Sequence, residues 1–436
     1  MVTDRVPCAG NPAQSYTLYL PSQYSPDRQW PVIYAFDPLG RGDVAIKVYE
    51  AAAEKYGYIV AASNNAANGP VAMEMAAAQS VWLDTHRRFA LDKNRSYMTG
   101  LSGGARAATF FALYCSTCNV AGVISAGAGY PVIDKKFPVA NDHFAYYAAI
   151  GDLDFNFPEV MTLRRTKDEQ EASFKVKVYP GTHDWEPPAI AEDAIEWMEL
   201  KAMQSSAEKV DAAFVSKMFK QTQAEAAQSE REGDALGEYY AQRSLVFDFK
   251  GLEEVSQFQG EFASLKASKR LKDARHKEQQ EIELQASLTQ AVSDELGQLG
   301  AANADAQPAL AQKIAPEMED LQREQQMHGE NWMVDARAFS QLLMEGVEAG
   351  EEQFRQGNYT AAASYFGLMA EVAPDKPGAL LLLADAELRQ GDKKDALKTL
   401  EQAVQRGLKR KSLTGDPELK PLASDATFQE MVQEAK

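Results

Sequence analysis

The sequence has no uninterrupted run of eighteen apolar residues, the length that marks a candidate transmembrane helix. Apolar residues still make up 45% of the 436-residue chain, a proportion typical of a globular fold. We therefore predict a protein without a membrane span. At this length one ordinary hydrophobic core is insufficient, so two or three domains are expected.

Cysteine is scarce, since the chain contains only Cys8, Cys115 and Cys118. Three cysteines are too few for a disulfide framework and too few for a zinc site with four ligands. Cys115 and Cys118 have C-x-x-C spacing, but no metal partners lie near them in the sequence. A local disulfide or two plain buried thiols are therefore favoured over redox chemistry, and no metal site is expected.

Basic residues are outnumbered, because 45 Lys and Arg stand against 63 Asp and Glu, for a net charge of -18. Binding of nucleic-acid phosphates needs a basic surface, so no nucleic-acid partner is expected. Most of the acidic excess lies after residue 200, where solvated helix faces are the simplest interpretation.

The opening segment MVTDRVPCAG has neither the charged nor the apolar region of a signal peptide. The expected location is periplasmic or secreted if a leader was removed before Met1, and cytoplasmic otherwise.

Residues 1–202 are predicted to form an α/β domain, because short apolar runs alternate there with helical patterns. Candidate strands rich in β-branched and aromatic residues lie at 15–20, 31–36, 57–63, 95–100, 120–127, 144–151 and 174–180. Helical spacing is found at 43–57, 71–90 and 105–115. This alternation is typical of a mostly parallel, doubly wound sheet with helices on both faces.

Strand signals end near residue 203, and Ala, Glu, Gln and Lys dominate long periodic stretches from there on. This composition predicts an α-helical region over 203–342. The cluster GQLGAANADAQPA at 297–309 predicts a break between two helical segments.

A period of 34 residues runs through 343–436. It relates Gly350 to Ala384, Gly357 to Gly391, Ala362 to Ala396, Phe366 to Leu400 and Met369 to Ala403. The period resembles that of tetratricopeptide repeats and predicts units at 343–376 and 377–410, followed by a capping helix. Such repeats bury their faces against neighbours, so the preceding helices are expected to stack on them. The repeats either recruit a protein partner or are amphipathic hairpins without a binding role.

The segment Gly100-Leu101-Ser102-Gly103-Gly104 matches G-x-S-x-G and lies between a predicted strand and a predicted helix. A nucleophile elbow requires this arrangement, because the chain turns so sharply that the flanking positions, Gly100 and Gly104, must be glycine. The turn exposes the serine hydroxyl, and the helix N-terminus behind it favours negative charge. Ser102 is therefore the candidate nucleophile.

A serine nucleophile needs a base, usually a histidine. Of the five histidines, His276 and His328 lie in the helical region, His86 in a helical pattern and His143 at the start of a strand. His183 alone lies on a loop after a strand, where the active-site loops of open α/β sheets collect. His183 is the candidate base.

The acid should lie between the serine and the histidine, because α/β-hydrolases order their triad Ser, Asp or Glu, His. The segment IGDLDFNF places Asp152 and Asp154 just after a predicted strand. Asp154 is preferred, Asp152 is the alternative, and an ordinary polar turn is the non-catalytic interpretation.

An oxyanion needs backbone N–H donors. The Gly103 N–H, directly after the nucleophile, is one candidate. The second is expected from the loop Asp37-Pro38-Leu39-Gly40, where Pro38 has no N–H and only Leu39 or Gly40 can serve.

Over about residues 10–200 the chain resembles the esterase branch of α/β-hydrolases that includes polyhydroxybutyrate depolymerase-like and feruloyl esterase-like proteins. The segments that carry the resemblance are YTLYLPSQYSPDRQWPVIYAFDP, RFALDKNRSYMTGLSGGARAA, IGDLDFNF and GTHDWEPP. The resemblance implies hydrolysis of carboxylic esters through an acyl-enzyme, without a cofactor. Many relatives have His-Gly where this chain has Asp37-Pro38, which leaves the second oxyanion donor open.

About fifty residues separate Ser102 from Asp154, and a helix, a strand and the short loop PVIDKKFPVAND occupy most of them. We therefore expect no large lid, and an open site suited to bulky or polymeric esters. Aromatic residues near the strand ends are expected either to wall the site or to pack against neighbouring loops. These residues are Tyr130, Phe155, Phe157 and Trp185.

Two other functions compete with an esterase. Prolyl oligopeptidases, which are serine peptidases, share this catalytic domain but usually carry an additional N-terminal propeller, for which this chain has no counterpart. The other function is a scaffold in which the helical repeats recruit a partner and the hydrolase domain is vestigial.

Overall fold

A computed structural model describes residues 1–130, 143–167 and 173–435. Its described residues separate into two compact units, Met1–Gln279 and Gln280–Lys436. The division predicted from the sequence, with boundaries at 202/203 and 342/343, remains a proposal.

The first unit contains an eight-stranded sheet with the spatial order β1-β2-β4-β3-β5-β6-β7-β8. Its strands are β1 (Val2–Cys8), β2 (Asn11–Tyr19), β3 (Trp30–Phe36), β4 (Ile59–Ser63), β5 (Leu91–Leu101), β6 (Val120–Ala126), β7 (Ala145–Gly151) and β8 (Phe174–Tyr179). β2 pairs antiparallel with β1 and β4, whereas β3 to β8 form a parallel sheet. The carboxyl ends of the six parallel strands therefore lie along one edge.

Helices connect these strands and cover the sheet: α1 (Gly42–Tyr56), α2 (Val71–Arg88), α3 (Gly103–Tyr114), α4 (Phe157–Lys167) and α5 (Pro188–Gln204). Every residue of β3 is buried, and successive side chains reach opposite faces. Ile33 belongs to a core shared with α1 and α5, whereas the Tyr34 ring lies 5.0 Å from that of Trp82 on α2. Burial on both faces explains why the parallel strands are continuous apolar runs. This is the predicted α/β-hydrolase fold.

The edge strand β1 is a difference from the sequence-based expectation, which has seven strands. Five of its seven residues are exposed, so the segment VTDRVPC carries no apolar alternation. β1 pairs antiparallel with β2, and Ala9 donates its N–H to Asp84 of α2 at 2.8 Å. Backbone pairing and this contact position the segment without a hydrophobic signal.

The remaining helices of the first unit are α6 (Ala212–Glu232), α7 (Ala235–Phe247) and α8 (Ser256–Lys266), and the long α9 (Lys269–Ala301) crosses the boundary to the second unit. α6 begins at an aspartate cap, since the Asp211 carboxylate accepts the N–H groups of Ala213 and Phe214. Val215 and Met218 of α6 pack with Leu200 of α5 and Leu245 of α7 in a common core.

The second unit is all-helical. Its helices after α9 are α10 (Gln307–Met327), α11 (Trp332–Arg355), α12 (Tyr359–Val372), α13 (Gly378–Gln390), α14 (Lys393–Gln405), α15 (Arg410–Gly415), a short 3-10 helix (Lys420–Leu422) and α16 (Ala426–Glu434). The gap between α9 and α10 falls inside the predicted break at 297–309.

The 34-residue repeat corresponds to two helix pairs, α11 with α12 and α13 with α14. Gly357 and Gly391 adopt positive φ values of 82° and 92° where the first helix of each pair ends. A β-carbon added to Gly350 would lie 2.5 Å from the Phe366 ring, so a small residue is required there for the helices to approach. The predicted tetratricopeptide-like fold is therefore observed.

Cys115 and Cys118 are joined by a disulfide directly after α3, and Cys8 is free and buried. Burial raises the pKa of the Cys8 thiol to about 11. Within the described ranges, no helix has the length and apolar character needed to span a membrane.

Candidate active site

Ser102 occupies the turn between β5 and α3, the position predicted for a nucleophile elbow. Its backbone angles are φ 53° and ψ -120°, a combination that residues with a side chain rarely adopt. The turn is held by a hydrogen bond from the Ser102 N–H to the Ala126 carbonyl, at 2.9 Å. A nucleophile elbow has this geometry, with a strained serine at the C-terminal end of a central parallel strand.

The flanking glycines are required because the backbone leaves no room for side chains. A β-carbon on Gly100 would lie 2.3 Å from the carbonyl carbon of Gly104, and one on Gly104 would lie 2.1 Å from the Phe36 carbonyl oxygen. Both distances are far below van der Waals contact. The two glycines therefore let α3 begin directly against β5 and β3.

His183 and Asp154 form a hydrogen-bonded pair. The His183 Nδ1 atom lies 2.9 Å from both carboxylate oxygens of Asp154. Asp154 is fully buried, and its Oδ1 also accepts the Asn156 N–H at 2.8 Å. A buried carboxylate on Nδ1 orients the imidazole and leaves Nε2 as the outward nitrogen.

Asp152, the alternative acid, has a different position. Its Oδ1 accepts the N–H of Gly181 at 3.0 Å, and its own N–H donates to the Tyr179 carbonyl at 2.9 Å. These bonds tie the loop after β7 to the loop after β8, which carries His183. Geometry therefore pairs His183 with Asp154 and gives Asp152 a structural contact.

The end of β6, at Ala126 and Gly127, contacts both the serine turn and the histidine–aspartate pair. A β-carbon on Gly127 would lie 2.9 Å from Asp154 Oδ2 and 3.2 Å from His183 Nδ1. The preceding residue, Ala126, accepts the hydrogen bond from the Ser102 N–H. The ends of β5, β6, β7 and β8 thus bring these residues to one edge of the sheet.

The loop after β3 surrounds the buried carboxylate of Asp37. This carboxylate accepts the N–H groups of Leu39 and Arg41 and the indole N–H of Trp185, and it receives two hydrogen bonds from the Arg41 guanidinium. Burial alone would raise the pKa of Asp37, but the bonds from Arg41, Trp185 and Leu39 hold it below its usual value.

This loop does not present the donors expected for a second oxyanion contact. The Leu39 N–H donates to Asp37 Oδ1 at 2.9 Å, and the Gly40 N–H donates to the Asp37 carbonyl at 2.9 Å. Neither amide hydrogen is available to a substrate oxygen in this conformation. The Gly103 N–H differs, because it belongs to the first turn of α3, whose N–H groups have no partner within the helix.

The four aromatic residues expected to line the site fall into two groups. Phe155 packs on the His183 ring, with centroids 4.1 Å apart. Trp185 is buried and bonded to Asp37. Tyr130 packs against Tyr146, with ring centroids 4.7 Å apart, and the buried Phe157 lines a cavity of about 470 Å³ beside β8 and α7. Phe155 contacts the imidazole directly, and the other three pack against neighbouring elements.

The loop 131–142, on which the expectation of a lidless site depends, lies outside the described residues.

Two features near Ser102 are missed by motif reasoning. Arg106 and Glu159 form a bidentate ion pair at 2.9 and 2.8 Å, one helical turn after the serine. The side-chain amide of Asn68 lies against Gly103. The only sequence signal for Asn68 is its place in a polar loop that follows a predicted strand, where site loops collect.

Comparison with known proteins gives a family match in the second unit and structural likenesses for the first. Residues 353–411 match the family model of the tetratricopeptide repeat. No curated protein matches the chain in sequence.

The solved structures similar to this chain include an S-formylglutathione hydrolase from Staphylococcus aureus, at 14% identity over 42% of this chain and 90% of that one, with a TM-score of 0.34. A mutant feruloyl esterase module from Clostridium thermocellum, complexed with sinapinate, is 14% identical over 44% of this chain and 86% of that one, with a TM-score of 0.36.

Proposed function

We propose that the protein is a serine hydrolase that cleaves carboxylic esters through an acyl-enzyme, with Ser102, His183 and Asp154 as its triad. The proposal rests on two observations: the strained backbone of Ser102 at the strand-to-helix turn, and, at the same edge of the sheet, a histidine whose Nδ1 is held by a buried carboxylate. The proposed catalytic domain is 1–202, followed by a helical region, 203–342, and the repeats, 343–436.

In the proposed reaction the Ser102 hydroxyl oxygen bonds to the ester carbonyl carbon while His183 Nε2 takes its proton. The carbonyl electron pair moves onto the oxygen, which receives a hydrogen bond from the Gly103 N–H at the positive end of α3. Collapse of this intermediate expels the alcohol, which takes the proton from His183. Water activated by His183 then hydrolyses the acyl-enzyme and restores Ser102.

The test is the time course of nitrophenol release from a short nitrophenyl ester. We expect a burst whose amplitude matches the enzyme concentration whenever deacylation is slower than acylation, and loss of turnover in Ser102→Ala. Ser116, which lies on the exposed loop after α3, offers a matched Ser→Ala control. Undiminished turnover in Ser102→Ala would refute the assignment.

The finer substrate class rests on sequence resemblance to the polyhydroxybutyrate depolymerase-like and feruloyl esterase-like branch. Short hydroxyalkanoate oligomers and hydroxycinnamoyl esters are therefore the acyl donors to compare with the nitrophenyl ester. A value of kcat/KM well above that of the nitrophenyl ester for one of these classes would assign the substrate. Equal, low values for both would remove the branch assignment while leaving ester hydrolysis intact.

The match of residues 353–411 to the tetratricopeptide repeat favours a second role, binding of a protein partner by the helical region. A partner of the repeats should bind the unsubstituted full-length protein and the Ser102→Ala variant with equal affinity, because Ser102 and the repeats belong to different compact units. A binder that distinguishes the two would be a substrate of the hydrolase site.

A further inference from the structure

The loop after β4 brings a side-chain amide to the first residue of α3. A β-carbon built on Gly103 would lie 2.0 Å from Asn68 Oδ1 and 3.1 Å from Asn68 Nδ2. Gly103 directly follows Ser102 and carries the N–H expected to meet an oxyanion. The Asn68 amide therefore lies beside the residue whose N–H is expected to meet the oxyanion.

The loop holds this amide in place through its backbone and leaves its side chain exposed. The Asn68 N–H donates to the Pro38 carbonyl at 2.8 Å, and the Ser63 hydroxyl accepts the N–H groups of Asn65 and Ala66. Asn65 in turn accepts the Ser15 N–H at 2.8 Å. Among the described residues, the Asn68 side chain has no hydrogen-bond partner of its own.

A second donor is needed because the loop after β3 directs its own N–H groups elsewhere. Pro38 has no N–H, and the amides of Leu39 and Gly40 are both bonded to Asp37. Among the described residues, the arrangement thus leaves the Gly103 N–H as a backbone donor and the unpaired side-chain amide of Asn68 next to it. An amide turns about its terminal torsion with little penalty, so it can present its N–H groups to a negative oxygen.

We propose that Asn68 is a catalytic residue that donates the second hydrogen bond to the oxyanion, in place of a backbone N–H from the loop after β3. The inference rests on the proposed function. As Ser102 Oγ bonds to the carbonyl carbon, the electron pair reaching the oxygen is stabilised by Gly103 N–H and Asn68 Nδ2–H, and both bonds weaken when the carbonyl re-forms. Asn68 thus acts on the transition state more than on the bound ester.

The test is steady-state hydrolysis of a nitrophenyl ester by full-length Asn68→Ala and Asn68→Asp. Loss of one oxyanion donor lowers kcat by about 100- to 1,000-fold with KM changed little. Asn68→Asp keeps the shape but replaces the donor with a negative charge, so it should be at least as slow. Asn331→Ala is the matched control, because Asn331 is exposed and belongs to the second compact unit, outside the loop that holds Asn68. Its kcat should stay within about threefold of that of the unsubstituted protein.

Three outcomes would overturn the inference. If Asn68→Ala retains kcat within about twofold while Ser102→Ala is inactive, the hydrolase proposal survives and Asn68 is not a donor. If KM rises and kcat is unchanged, Asn68 binds the ester equally in the ground state and the transition state and is not an oxyanion donor. If Ser102→Ala is fully active, the proposed function fails and the role of Asn68 fails with it.

Discussion

At the scale of single residues, two aspartates that lie two positions apart in the sequence make different contacts. Asp154 is bonded to His183 Nδ1, whereas Asp152 accepts a backbone N–H from Gly181. We expect Asp154→Asn to lower kcat by about 1,000- to 10,000-fold, because an amide no longer stabilises the imidazolium or fixes its tautomer. Ester hydrolysis measured from pH 5 to 9 is the readout.

Asp152→Asn is the matched control, since its amide oxygen can still accept the Gly181 N–H. Its kcat should remain within about tenfold of the unsubstituted protein. A larger loss in Asp152→Asn than in Asp154→Asn would reverse the assignment of the two carboxylates.

Glu186 gives a pH-dependent prediction about stability. Burial raises the pKa of Glu186 to about 7, although a hydrogen bond from the Tyr49 hydroxyl opposes the shift. A carboxyl group whose pKa is raised on folding is protonated in the folded state over a range where it is ionised in the unfolded state. The free energy of unfolding therefore falls as pH rises from about 4.5 to 7. Glu186→Gln cannot ionise, and the variant should gain on the order of 3 kcal/mol relative to the unsubstituted protein between pH 5 and 8.

Urea unfolding of the unsubstituted protein and of Glu186→Gln across this pH range measures the difference between their unfolding free energies. The contributions of the other titrating groups cancel in this difference. Tyr49→Phe removes the hydrogen bond that lowers the pKa of Glu186. The pH range over which the unfolding free energy falls should therefore extend to higher pH in this variant. A difference that is constant with pH would show that Glu186 does not titrate in this range.

At the scale of elements, the loop after β3 depends on one carboxylate. Asp37→Ala would remove the acceptor of Trp185, Leu39 and the Arg41 side chain together. Removing one partner of a buried charged network costs about 3 to 5 kcal/mol, so we expect a loss of this size in the unfolding free energy. Asp43→Asn, at an exposed position paired with Lys47, is the control and should change stability by less than about 0.5 kcal/mol.

The strands and the elbow are predictable from sequence because their signals are local. Strands β2 to β8 are runs of β-branched and aromatic residues, and Ser102 lies in a five-residue motif between a strand and a helix. β1 is not predictable, since its exposed residues are held by pairing with β2 rather than by burial.

The contacts around the candidate site are harder to predict, because they join residues distant in sequence. The sequence suggests that Trp185 lines the pocket, but its indole N–H donates a hydrogen bond to Asp37, which lies 148 positions away in the sequence. The approach of Asn68 to Gly103 depends on how the loop after β4 crosses the end of β3, which no local pattern encodes. Tertiary hydrogen bonding therefore decides which polar groups remain available for substrate.

At the scale of the whole molecule, the two compact units have separate hydrophobic cores. The proposed catalytic residues and the sheet core containing Ile33 belong to Met1–Gln279, whereas Leu342 and Leu400 belong to a core formed by helices of the second unit. Separate cores predict that stability can be lost in one unit without direct damage to the other.

Leu400→Ala tests this prediction. Leu400 is fully buried in the second core, so its truncation should lower the stability of that unit by about 2 to 5 kcal/mol. Hydrogen exchange should accelerate in peptides from 280–435 and stay unchanged in peptides from the sheet, with ester kcat unaffected below the unfolding transition. Met327 is exposed, so Met327→Ala should alter neither hydrogen exchange nor kcat. Ile33→Ala, in contrast, should accelerate exchange in the sheet and lower activity. A fall in kcat that parallels the loss of protection in 280–435 would mean that the two units fold as one cooperative body.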